Sequence, residues 1–181
     1  MGALASAYLH ACREGYQALS AAERAALLRP RPQLETMQKL VGNRLVSAAS
    51  DSSDGVIGAL YNISAASGNG LELYTDIIDI PAHVFEEARA NNLSPWNLFF
   101  FWGDWQVIAT IPEASLADAK RIVPPGSLTV LGRVTNGTGV QARVGTDLRL
   151  VAPVRNENFK QTGFASEMES HVRFMLTTDV F

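Results

Sequence analysis

Apolar positions recur at three- and four-residue spacing from the start of the chain. Leu4, Tyr8, Ala11 with Cys12, Gly15 and Leu19 fall on one face of an alanine-rich stretch, which predicts helix over 3–28. Within it Ser20-Ala21-Ala22-Glu23 reads as a capping box that opens a second short helix through Leu28. Arg29-Pro30-Arg31-Pro32 stops that helix, because each proline disfavours helical backbone at the residue before it. The opening helices are read either as a segment leading by a Pro-rich connector into a compact domain or as a layer of the fold itself. A further helix is expected over 33–41, ended near Gly42, and a short buried strand over 45–50.

Val56, Leu60, Ile63 and Ser67 then mark one face of a helix that Gly68-Asn69-Gly70 terminates. Strand-like pieces follow at 71–74 and 77–80, a helix at 82–90 behind Pro81, a strand at 105–111 and a helix at 115–122. Two β-rich runs at 128–135 and 140–144 flank Asn136-Gly137-Thr138-Gly139, which predicts a hairpin, and 148–151 adds a strand. This alternation predicts an α+β fold, a mixed β-sheet with packed helices.

Composition narrows the class. The 181 residues suit one domain of ordinary size, with 47% hydrophobic and 18% charged residues, the balance of a globular chain. Net charge is −3 with no run of Lys or Arg, which argues against nucleic acid or an anionic membrane as a partner held by bulk electrostatics. Cys12 is the single cysteine, so no internal disulfide and no cysteine zinc site is possible, as fits a reducing cytoplasm. No secretory signal is read at the N-terminus, and the apolar run around Trp96 and Trp102 is too short to span a bilayer.

Candidate chemistry concentrates in Asp51-Ser52-Ser53-Asp54-Gly55, between a predicted strand and a predicted helix. A helix start offers unpaired N–H groups and a positive dipole end that favour phosphate oxygens. Two carboxylates three residues apart can supply oxygen ligands for Mg²⁺, and a hydroxyl between them can hydrogen-bond a nucleotide. The structural alternative is equally simple: Ser53 or Asp54 caps the helix and does nothing more. Spacing alone leaves both open.

Asp51-Ser52-Ser53-Asp54-Gly55-Val56, with Leu60 beyond it, resembles the D-x-S-D-G-L segment of the thiamine-monophosphate kinases. These belong with aminoimidazole-ribonucleotide synthetase, selenophosphate synthetase and HypE. Ile63-Ser64-Ala65-Ala66-Ser67-Gly68 resembles the family's next helix end, Gly103-Asp104-Trp105-Gln106-Val107 stands where the family has G-G-E-D-Y-E-L, and Leu131-Gly132-Arg133-Val134 resembles its I-G-x-V strand. Together these cover about 32–151. The resemblance implies the fold of that superfamily's C-terminal domain over 32–181, with 1–31 a helical segment or linker. It implies Mg²⁺ ligation by Asp51 and Asp54, an ATP contact from Ser53, and substrate contacts from Asp104 and from Phe164 in the tail. The reaction implied is transfer of the ATP γ-phosphoryl group to thiamine monophosphate, by a cytoplasmic enzyme whose full-length parent is a homodimer.

Two departures qualify these expectations. The family's substrate-binding Glu falls on Gly103, and its two glycines fall on Phe101 and Trp102. No counterpart of the superfamily's N-terminal half precedes residue 51, so the chain alone is expected to be inactive. The alternatives are a non-catalytic domain that binds a phosphate-bearing ligand, and a relative with a different acceptor. Elsewhere structural roles are expected: His10, His83 and His171 share no ligand spacing, Asp76 and Asp79 are solvated, and the aromatics from Phe99 to Trp102 fill a core strand.

Overall fold

The computed structural model describes residues 1–153 and 176–181, and the expectation for Phe164 lies outside them. The elements are α1 (Ala3–Glu14), α2 (Ala21–Leu28), α3 (Leu34–Gly42), β1 (Ala48–Asp51), α4 (Gly55–Ser67), β2 (Gly70–Tyr74), α5 (Ala82–Ala90), α6 (Pro95–Phe100), β3 (Val107–Thr110), α7 (Leu116–Ile122), β4 (Gly132–Thr135), β5 (Val140–Val144) and β6 (Asp147–Leu150). The expected α+β class holds. Among the described residues the strands form two sheets, a β1–β3 antiparallel pair and a four-stranded mixed sheet in the order β4-β2-β5-β6.

α4 is the centre of the packing. Val56, Ile57, Ala59, Leu60 and Ile63 are buried, and together with Gly55, Gly58 and Ser64 they leave little of its surface in solvent. A helix apolar nearly all round must be surrounded, and α4 touches β1 and β3 on one side, β2 and β5 on another, and α6 besides. α1 joins this same core through Ala5 and Leu9, and Arg13 reaches the Glu87 carboxylate on α5 at 2.6 and 3.3 Å. The opening helix therefore lies against the sheet-and-helix core, not apart from it. A smaller cluster of Leu40, Ala119 and Val123 ties α3 to α7.

Four local expectations are corrected. β4 and β5 do not pair as a hairpin: β2 lies between them, antiparallel to β4 and parallel to β5. The four-residue link 136–139 crosses the start of β2, where the Leu71 amide donates to Gly139 O at 2.9 Å. β2 takes the central slot because four of its five residues are buried, and its Glu72 carboxylate bridges Arg133 on β4 and Arg143 on β5. Residues 77–80 are not a strand; the chain turns at 75–77 and continues without regular structure to Pro81. The aromatic run is helical. Ser94 caps α6, Pro95 opens it, and Leu98, Phe99 and Phe100 are buried on it, with Trp96 stacked on Phe100 at 5.6 Å. β1 is also more open than a buried strand, since its residues are half-buried or exposed in a two-stranded sheet.

Candidate functional site

The segment 51–55 runs from the end of β1 into α4, and one buried side chain fixes its shape. Ser52 is 1% exposed. Its Oγ lies 2.7 Å from Gly103 O and 2.8 Å from Gln106 O, its amide donates to Gln106 O at 3.1 Å, and its carbonyl accepts the Gly55 amide at 2.9 Å. Both neighbouring chain segments are thus tied to one serine. Ser52 is not among the residues to which the motif assigns a role, and nothing in the residue pattern marks it as the pin.

Glycines permit the close approach. A Cβ on Gly103 would stand 1.8 Å from Ser52 O, and a Cβ on Gly55, whose φ is +83°, would stand 2.6 Å from Phe101 O. The 51–55 turn is therefore laid directly on the backbone of 101–103. This gives a physical account of Gly103 at the position where the resemblance expects a glutamate: here the backbone itself occupies the space of a side chain.

The turn then presents its flanking polar groups outward. Asp51 and Ser53 are exposed and Asp54 is half-buried. Asp54 occupies the N-cap position of α4 with no side-chain capping hydrogen bond. The simple capping role for Asp54 is thus not what the structure displays, and among the described residues its carboxylate has no partner, beside the positive end of a 13-residue helix. Asp51, Ser53 and Asp54 lie together on one turn. Among the described residues no three His, Cys, Asp or Glu side chains converge as a metal cluster. Two carboxylates on one turn fit Mg²⁺ in the form that ion prefers, with few protein oxygens and the rest of the shell from phosphates and water.

Asp104 sits on the adjoining turn and is engaged elsewhere. Its Oδ2 accepts the Ala3 amide at 3.0 Å and its Oδ1 accepts the Leu4 amide at 2.8 Å, so both oxygens cap α1. α1 has Gly2 at its N-cap and no cap of its own, which is why a distant carboxylate serves. Asp104 and Trp105 have φ of +47° and +60°, a left-handed pair unusual for non-glycine residues. Gln106 Nε2 bonds Asp104 O at 2.9 Å and steadies it. Trp105 projects half-exposed from this strained turn, and Trp102 packs its ring 5.5 Å from that of Tyr8. The structure thus brings Asp51, Ser53, Asp54 and Asp104 onto two adjacent turns, with the Asp104 carboxylate directed to α1.

Residues 2–145 match the family described as AIR synthase related protein, C-terminal domain. A thiamine-monophosphate kinase of Methanopyrus kandleri is 31% identical over 114 residues, 62% of this chain and 35% of that protein. The solved thiamine-monophosphate kinase of Stenotrophomonas maltophilia K279a superposes with a TM-score of 0.66 at 22% identity, over 78% of this chain and 47% of that one. A solved complex of AaThiL with AMPPCP and TMP gives a TM-score of 0.62 at 21% identity, over 82% and 47%. The chain spans a third to a half of the length of these relatives.

Proposed function

The chain belongs to the AIR synthase related protein, C-terminal domain family, and from that premise we propose that it is the substrate-side half of a thiamine-monophosphate-kinase-like phosphotransferase. The overall reaction passes the ATP γ-phosphoryl group to thiamine monophosphate, giving thiamine diphosphate and ADP. The observation that carries this reading is the pair of acidic groups, Asp51 and Asp54, which flank the Ser52 pin on the turn into α4 and whose carboxylates have no partner among the described residues. That a relative is solved with AMPPCP, an ATP analogue, and with TMP supports ATP and thiamine monophosphate as the ligand pair.

In this reading Asp51 and Asp54 hold Mg²⁺, which when bound neutralises charge on the phosphates. Ser53 donates its hydroxyl to the nucleotide, and the first-turn amides of α4 face phosphate oxygens. Asp104 contributes by holding the 103–106 turn and α1 in place, so that Trp105 stands beside the acidic turn. Phe164 remains a proposed substrate contact. Catalysis is completed by groups that the N-terminal half of such enzymes supplies, in a cytoplasmic homodimer of the full-length parent, and residues 1–181 by themselves turn nothing over. Detectable ADP formation from ATP and thiamine monophosphate by the purified chain would contradict that last statement.

A second reading is favoured by one specific observation, the backbone contact that excludes any side chain at Gly103. It makes the chain a phosphate-ligand-binding domain without catalysis, or a kinase with another acceptor. Calorimetry separates these readings. Enhancement of Mg²⁺·AMPPCP binding by thiamine monophosphate supports the kinase, and binding of the nucleotide with no effect of thiamine monophosphate supports the alternatives.

A further inference from the structure

The four-stranded sheet ends at β6, a strand whose four residues are all exposed and which pairs with no strand on its outer side among the described residues; just past its end the Ala152 amide donates to Val180 O at 2.8 Å, so the open edge is β6 itself. Its backbone orientation follows from its pairing. Val144 pairs with Asp147 across a two-residue link, and the Val151 amide donates to Val140 O directly opposite. In an antiparallel ladder alternate residues turn their N–H and C=O to the same neighbour. Asp147, Arg149 and Val151 therefore face β5, and Leu148 and Leu150 point their backbone groups out of the sheet. Such a row is a template for another strand.

Consider a second copy of the same strand approaching about a two-fold axis. Outward groups must meet outward groups, which places the axis at a residue and never between two. An axis at residue 147 sets Asp147 against Asp147, and an axis at residue 149 sets Arg149 against Arg149. Both place like charges directly opposite, which destabilises a strand pair. An axis at Leu148 sets Asp147 against Arg149 of the second copy, and does so twice. These crossings are the non-hydrogen-bonded positions, where opposed side chains come closest. Leu148 then faces its own counterpart through the hydrogen-bonded pair.

We propose that β6 is a homodimerisation edge, at which two copies pair antiparallel about Leu148 and join their four-stranded sheets into one. The contact is isologous, as a two-fold requires. The groups it uses are available. In the single chain Arg149 Nη2 is 3.9 Å from Asp147 Oδ2, a loose pair with side chains 51% and 68% exposed. Leu148 and Leu150 are 49% and 66% exposed. Charges on a short edge strand also blunt indiscriminate pairing. Here the alternation of sign makes the edge complementary to itself in one register only. An interface of one short strand belongs to the weak, concentration-dependent class. The inference is independent of what the acidic turn binds.

The test is sedimentation equilibrium of residues 1–181 over a wide concentration series. The parent chain is expected to form a reversible dimer. D147R and R149D each turn both crossings repulsive and raise the dissociation constant about tenfold. An equimolar mixture of the two re-associates, because D147R meets R149D at both crossings. Leu148→Pro removes only an outward amide that the monomer does not use, so it lowers association with unchanged circular dichroism. The proposal is overturned by a parent chain monomeric throughout, by a Leu148→Pro chain that dimerises like the parent, or by folded charge variants that fail to re-associate when mixed.

Discussion

Gly103 offers the sharpest perturbation of the candidate site, because its cost follows from geometry alone. Gly103→Ala puts a methyl group 1.8 Å from Ser52 O and 2.6 Å from Ser52 C. Real contacts of this kind do not fall below 3.0 Å, so the two backbones must part by more than an ångström. Neither is a flexible side-chain end that can swing aside. Parting them stretches the Ser52 Oγ contacts from 2.7 and 2.8 Å beyond useful length. Overpacking costs about 1–3 kcal/mol and an orphaned buried polar group about the same, so the expected loss is about 3 kcal/mol. Urea unfolding followed by circular dichroism measures it. Gly42→Ala is the control: it has nothing within 4 Å and no left-handed φ, and it is expected to stay within about 0.5 kcal/mol of the parent. A Gly103→Ala chain as stable as that control would refute the proposed seating of the acidic turn. Gly103→Glu meets the same obstacle, so restoring the family's carboxylate here is expected to disturb the site.

Three further outcomes follow from groups around the site and its support. Asp104→Ala leaves the first-turn amides of α1 without acceptors; it should cost about 1–2 kcal/mol and speed hydrogen exchange at Ala3 and Leu4, and unchanged exchange there would exclude the capping role. Glu23 is held down to about 2 by its hydrogen bond to His10, 2.6 Å away, and then by Ser20. A depressed carboxyl contributes stability that is complete above its ordinary value near 4.5 and is lost as pH falls towards 2. The stability gap between the parent and Glu23→Gln should therefore shrink below about pH 4.5, and a gap independent of pH would contradict the pairing. Burial alone would push the Glu72 carboxyl up, but Arg133 and Arg143 hold it below its ordinary value. Glu72→Gln should lower the urea midpoint by the equivalent of about 1–2 kcal/mol, the arginines being partly solvated, and no change would show that the triad adds nothing.

What the sequence disclosed was local, and what it concealed was long-range. The capping box at Ser20 and Glu23 forms in full, and α5 spans Ala82–Ala90 behind Pro81, as the residue pattern predicts. These elements are specified by side chains a few positions apart. The β4–β5 arrangement is not. Asn136-Gly137-Thr138-Gly139 carries the chemistry of a hairpin turn, yet the strands it joins both prefer β2, which is more buried than either. The helical state of α6 is legible in Ser94-Pro95, a cap followed by proline at the first helical position, whereas the density of aromatics after it suggests a strand. The Asp104 cap joins residues a hundred positions apart and left no local trace. At the candidate site the motif marks the 51–55 turn, whereas Ser52, which shapes that turn, is indistinguishable in the sequence from its neighbour Ser53.

On the proposed function, the acidic turn before α4 binds the metal and the phosphates together. Titration of Mn²⁺ with AMPPCP into the ¹⁵N-labelled chain tests it most directly, since paramagnetic broadening marks amides beside the metal even when binding is weak. Broadening centred on residues 51–56, abolished by Asp51→Asn with Asp54→Asn, is the predicted result. Broadening centred elsewhere, or persisting at residues 51–56 in the folded double variant, would contradict it.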